Sequence, residues 1–170
     1  MNKLTFILFL IPLSLFANDT EHLRLIDGQW QCYQEFVEEG MATKIDSRYS
    51  YRSADLTYTT DYVAKYIYQE DIPLGSISVT DQGTFTYSAS KMRYKSKHLS
   101  LEVLTDPVGV LQNSEEDLLK EMKQEIAQDN TEYLTTFINH LVWETQDPTD
   151  GTTTHCVRIN ELESKGTSSP

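Results

Sequence analysis

Two cysteines, Cys32 and Cys156, are the residues whose placement speaks first to chemistry. They form no C-x₂-C pair and stand far apart in the sequence, with no zinc-type spacing to the histidines, so they make no zinc pattern. In an oxidising compartment such a pair in a small domain joins as a disulfide. The alternatives are two separate thiols or a bond between chains. An internal bond would bring the Cα atoms to about 5–6 Å, so the first and last strands of the domain would have to meet. It would close a loop for which the chain-entropy relation gives about 4–5 kcal/mol.

The compartment is read from the other end of the argument, the N-terminus. Lys3 precedes an apolar run from Leu4 to Phe16, and Ala17 offers a small residue for cleavage. Met1–Ala17 therefore reads as a signal peptide. The run is shorter than the roughly 20 apolar residues that cross a bilayer, which leaves a signal anchor as the alternative. No cysteine adjoins the cut, so there is no lipid attachment point. Nothing after Ala17 reads as a membrane span, and the location expected is periplasmic or secreted.

Chemistry of other kinds is not marked. The chain has no G-x-S-x-G and no H-E-x-x-H pattern. Its histidines are His22, His98, His140 and His155. Asp147-Pro148-Thr149-Asp150-Gly151 is turn chemistry and lacks the spacing of an EF-hand calcium loop. We therefore expect no enzyme, no metal and no cofactor. Acidic residues number 26 against 14 Lys and Arg, for a net charge of −12. That balance argues against nucleic acid and anionic lipid as partners.

The elements that must carry these residues are mostly strands. Residues 18–159 read as a single β-rich domain that begins with a polar lead-in of at most one short helical turn (Asn18–Asp27) and is followed by a disordered tail, residues 160–170. Gly28–Val37 alternates, with Trp30, Cys32, Gln34 and Phe36 on one face. Tyr49 and Tyr51 share a face of the next strand. Asp55–Glu70 carries Tyr58, Tyr62, Tyr66 and Tyr68 on one parity; its Thr, Val, Ile and Tyr content favours strand over helix. Pro73 and Gly75 are expected to turn the chain. Ser76–Thr80, Thr84–Ser88 and Leu99–Leu104 read as a meander, with Asp81-Gln82-Gly83 as a hairpin connection. Between them Lys91, Arg93, Lys95 and Lys97 alternate along one wet face.

Ser114–Gln128 is the one clear helix. Ser114 and Asp117 resemble a capping box, and Leu118, Leu119, Met122 and Ile126 form its apolar stripe. Such a helix would lie against the sheet or plug a barrel end. Thr131–Trp143 fits helix or strand, and its Thr-Thr-Phe-Ile centre favours strand. Leu141–Thr145 and Thr152–Ile159 form a hairpin around the Asp-Pro turn. Facing Asp147 to Thr152 sets Trp143 against Cys156 and Glu144 against His155. Arg158 then shares the face of Trp143. With the disulfide made, Trp30, Trp143 and Arg158 crowd one patch, a cation–π arrangement worth about 0.5–2 kcal/mol.

At these residues the chain resembles a family. Gly28-Gln29-Trp30 is similar to the G-x-W motif of lipocalins and related calycins, and Arg158 stands where those proteins often carry a basic residue against the Trp. The resemblance implies an antiparallel up-and-down barrel that holds a small apolar ligand in its mouth. The fold expected is mainly β with one helix, as a single curled antiparallel sheet or lipocalin-like barrel. Two functions follow. One is a binding module for a small apolar or aromatic molecule, with Tyr58, Tyr62, Tyr66 and Tyr68 lining the cavity. The other is an envelope or secreted interaction protein, an inhibitor or assembly factor, with a filled core and a protein partner.

Overall fold

The computed structural model describes residues 14–159 apart from Glu39, Glu70, Asp71 and Val110. Most of the leader expected over Met1–Ala17, and the tail expected over residues 160–170, lie outside the described residues. Among those described, eight strands close into one antiparallel barrel, each paired with its neighbour in sequence. They are β1 (Gly28–Glu38), β2 (Met41–Arg52), β3 (Thr57–Tyr68), β4 (Ile72–Ser88), β5 (Lys91–Thr105), β6 (Tyr133–Asn139), β7 (Val142–Gln146) and β8 (Thr153–Arg158). Helix α1 (Ser14–Ile26) precedes the barrel, and α2 (Glu115–Gln128) is inserted between β5 and β6 after a single 3₁₀ turn, Gln112–Ser114.

The ring closes where β1 meets β8. Trp30 stands opposite Arg158 and Cys32 opposite Cys156. In the last hairpin Trp143 faces Cys156 and Glu144 faces His155. Glycine has a specific task at the start of β1. Gly28 adopts φ +117°, and a Cβ there would stand 2.7 Å from Nη1 of Arg158. The first letter of the G-x-W pattern thus leaves room for the guanidinium that covers the third.

The interior has two apolar clusters. One gathers Ile26, Trp30, Tyr51, Tyr58, Phe85, Tyr87, Met92 and Trp143 around the disulfide. The other joins Ala64, Ile77 and Val79 to half-buried Tyr62, Tyr66, Leu99, Leu101 and Val103, with Leu111 and Met122 packed over them. The long strands β2–β5 outrun the short β6–β8, and α2 covers the apolar surface this mismatch leaves on β5. The apolar stripe of α2 is only half buried, so the helix lies shallowly on the sheet. The expected cap is not formed. Ser114 makes no side-chain capping bond; its hydroxyl donates to the carbonyl of Leu111 at 3.3 Å.

Three expectations are corrected. Residues 18–26 are helical rather than a polar lead-in with at most one turn. Among described side chains, α1 earns its place through His22, whose Nδ1 lies 2.7 Å from the Tyr87 hydroxyl, and through Leu23 and Ile26, which pack into the first cluster. Pro73 and Gly75 do not turn the chain. Both lie in β4, beside a bulge where Tyr66 pairs with Gly75 and Ile67 with Pro73. A Cβ on Gly75 would come within 2.4 Å of Leu111 Cδ1, so that glycine admits the 3₁₀ turn to the sheet. Lastly, Asp81-Gln82-Gly83 is no hairpin. A single strand, Ile72–Ser88, runs through it, with a register shift between Gln82 and Gly83. Gly83 is there for close approach: a Cβ would stand 2.1 Å from the Lys95 carbonyl oxygen. The hairpin turn falls instead at Ala89-Ser90, both at positive φ.

Candidate functional site

The seam is the best-defined constellation. Cys32 and Cys156 are joined by a disulfide spanning a sequence separation of 124 residues. Trp30 and Trp143 are both fully buried and meet edge to face at 5.7 Å. The indole N–H of Trp30 donates to the Ile26 carbonyl at 2.7 Å. Arg158 lies over the Trp30 ring, 4.3 Å from its centroid. Its guanidinium donates to the carbonyls of Asp27 (2.8 Å) and His140 (3.2 Å) and to that of Leu25. One side chain therefore ties α1, the entry to β1 and the β6–β7 turn to the end of β8. This end of the barrel is packed shut.

Towards the other end a cavity of about 180 Å³ opens above the same layer. Its walls are Tyr49, Tyr51, Tyr94, Tyr133 and Trp143, with the disulfide-bonded Cys156 beside them. Its rim is polar: Gln34, Thr145, Thr152 and Thr154, with Asp147 and Asp150 from the β7–β8 turn. The rings hold one another. Tyr49 stacks on Tyr51 at 5.4 Å, Tyr51 meets Trp143 edge-on at 5.9 Å, and Tyr94 meets Tyr133 at 5.9 Å. The Tyr51 and Tyr94 hydroxyls share a 2.6 Å hydrogen bond. Burial is the main cause that raises the pKa of Tyr49, Tyr51, Tyr94 and Tyr133, so all four remain phenols at neutral pH. The indole nitrogen of Trp143 is buried with no hydrogen-bond partner among the described residues.

The tyrosines singled out from the β3 parity occupy other places. Tyr58 is buried in the first cluster and donates to Asp81 Oδ2 at 2.5 Å; Ser96 donates to Oδ1 of the same carboxylate at 2.5 Å. Tyr62 and Tyr66 pack in the cluster under α2. Tyr68 is 40% exposed at the strand end. None of the four lines the aromatic cavity. Its tyrosines come from β2, β5 and β6, and the sequence signal that marks them is the inward parity of Tyr49 and Tyr51 and of Tyr94 between basic neighbours. Their convergence is a property of barrel closure, which no local pattern reports.

On the outer face, His155 Nδ1 lies 2.7 Å from Glu144 Oε1. No group of three or more His, Cys, Asp or Glu side chains suited to a metal occurs among the described residues. A second depression, of about 580 Å³, runs between β5 and α2, with Arg93, Lys95, Lys97 and Lys123 above Leu99 and Ile126.

Fold and site together define a class: a closed eight-stranded antiparallel barrel, cross-linked at its seam, with an aromatic-walled cavity. No family model matches the chain, and a search of the curated proteins finds no match to it.

Proposed function

We propose that this chain is an exported, calycin-like barrel that binds a small aromatic or apolar molecule in the cavity beside Trp143 and catalyses no reaction. The observation that carries this reading is the ring wall of Tyr49, Tyr51, Tyr94, Tyr133 and Trp143 under a polar rim. Small-molecule sites combine apolar and aromatic walls with placed polar groups; here five aromatic residues and Cys156 face six polar or charged ones. The cavity of about 180 Å³ is small for such a site. An apolar cavity of about 150 Å³ accepts a benzene ring, so the ligand is about one ring in size. The lining contains neither histidine nor lysine, and its cysteine is held in a disulfide, which suits binding and release better than turnover. Export through the Met1–Ala17 leader to the periplasm or outside the cell supplies the oxidising setting in which that bond persists.

The test is a titration of the purified protein with p-cresol, indole and toluene, read by Trp fluorescence and by amide chemical shifts. Binding tighter than millimolar, with shifts at Tyr49, Tyr94 and Trp143, supports the reading. Saturating ligand with no shift at those residues sinks it.

The basic groove between β5 and α2 favours a second reading, an interaction protein that engages an acidic partner. Cross-linking in the native compartment that returns one protein, lost on Lys95→Glu with Lys97→Glu, would support it over the first.

A further inference from the structure

The cavity wall carries charge of one sign. Asp147 and Asp150 stand on its rim, and no Lys, Arg or His side chain lines it. The two carboxylates are fixed by their own turn. Asp147 Oδ1 accepts from the backbone N–H and the hydroxyl of Thr149, at 2.8 and 2.5 Å. Asp150 Oδ1 accepts from the N–H of Thr152 at 2.7 Å. That amide lowers the Asp150 pKa, so the group is ionised at neutral pH. The negative field reaches inside: after burial, the charges of Asp129 and Asp147 are what raise the pKa of the Tyr133 phenol. Below the rim the lining is aromatic, and the four phenols are uncharged.

Aromatic faces attract cations through their quadrupole, most strongly where water is excluded, and carboxylates at the mouth add a long-range attraction. An anion of the same size would meet two fixed like charges and no cationic side chain; the neutral hydroxyls and the Gln34 amide of the lining donate to an anion but also offer their oxygens to a cation. A neutral ring would bury its surface but gain neither electrostatic contribution.

We infer that the ligand of this cavity is a small organic cation, an alkyl- or arylammonium of about one ring, held with its charged end among the tyrosines below Asp147 and Asp150. The inference rests on the reading of the cavity as a ligand site and adds the sign of the ligand. The rest of the molecule agrees with it: a chain of net charge −12 concentrates ammonium ions and repels carboxylates at long range.

The experiment compares three near-isosteres by calorimetry on the disulfide-bonded protein at low salt: phenethylammonium, 2-phenylethanol and 3-phenylpropanoate. Phenethylammonium is expected to bind about tenfold tighter than the alcohol, with the carboxylate weakest. The variant Asp147→Asn, Asp150→Asn keeps the turn acceptors and removes the charge, and should bring the cation-to-alcohol ratio close to one. An alcohol that binds as tightly as the cation overturns the charge inference while leaving the cavity reading intact. So does a ratio that survives in the double variant with its amide spectrum still native-like. If none of the three binds, the cavity reading itself falls.

Discussion

Replacing Arg158 by methionine is the perturbation whose cost the structure specifies most fully. The guanidinium donates to three backbone carbonyls, those of Leu25, Asp27 and His140, and covers the Trp30 ring at 4.3 Å. Methionine keeps the packing of the stem and removes every polar contact. Hydrogen bonds from a charged donor contribute about 1.5–3 kcal/mol when sheltered, and two of these three are exposed and count for less. With a cation–π share of about 1 kcal/mol, the loss comes to about 3–4 kcal/mol. For a chain of this length that is a fall in Tm of about 10 °C. Lysine is the sharper variant. It retains the charge, but a single ammonium cannot bond carbonyls of three segments at once, so about 2 kcal/mol should still be lost. Urea unfolding followed by far-UV circular dichroism gives both numbers, and Trp fluorescence reports release of α1 from Trp30. If Arg158→Lys unfolds at the wild-type urea concentration, the fork geometry contributes nothing and the account of the seam is wrong.

Other outcomes follow from the same structure. Cys32→Ala with Cys156→Ala frees a loop of sequence separation 124 and should cost about 5 kcal/mol in guanidinium titrations, before the lost sulfur packing is counted; a loss under 1 kcal/mol would contradict it. Gly83→Ala drives a Cβ to 2.1 Å from the Lys95 carbonyl oxygen, whereas Gly109→Ala meets nothing within 4 Å and bears only its positive φ. The first should lower stability by about 3 kcal/mol or prevent folding and the second by about 1, with equal losses refuting the close-approach argument. Folding raises the pKa of Tyr51, Tyr58 and Tyr94 above the free-phenol value of about 10. Their contribution is complete below pH about 10 and drains away as pH climbs from there towards the folded values. Phenolate absorbance should therefore show exposed tyrosines titrating first and the buried set appearing together with unfolding; smooth titration of all with the fold intact would exclude the buried phenols described here.

Strand parity was legible because burial alternates with period two. It places Trp30 with Cys32, sets the register of the final hairpin, and aligns Lys91, Arg93, Lys95 and Lys97 on a wet face. What escaped were the places where local punctuation serves a distant neighbour. Gly83 and Gly75 read as turn residues because their usual role is conformational, yet here each makes space, for the Lys95 backbone and for Leu111. Asp81 reads as a loop residue, yet it is buried under Tyr58 and Ser96. Conversely Ala89-Ser90 makes a tight turn without the usual glycine or asparagine. The candidate site was legible only in part: parity turns Tyr49, Tyr51 and Tyr94 inward, but which inward residues share a cavity depends on how far each strand extends and where the ring shuts.

That ring is stitched unevenly. β4 and β5 pair along almost their whole length, while β5 and β6 pair as strands only at Lys91 with Leu134 and Met92 with Tyr133 among the described residues. Glu132 braces this short stitch from outside through Lys91 and Arg93, both at 2.9 Å, and such exposed ion pairs weaken in salt. The covalent clasp sits across the ring's other join, between β1 and β8. Parting the wall between β5 and β6 breaks the fewest ladder bonds, and Tyr94 and Tyr133 flank that line. Local opening of the barrel therefore starts most readily at this line, and raising the ionic strength, by weakening the Glu132 pairs, favours it further.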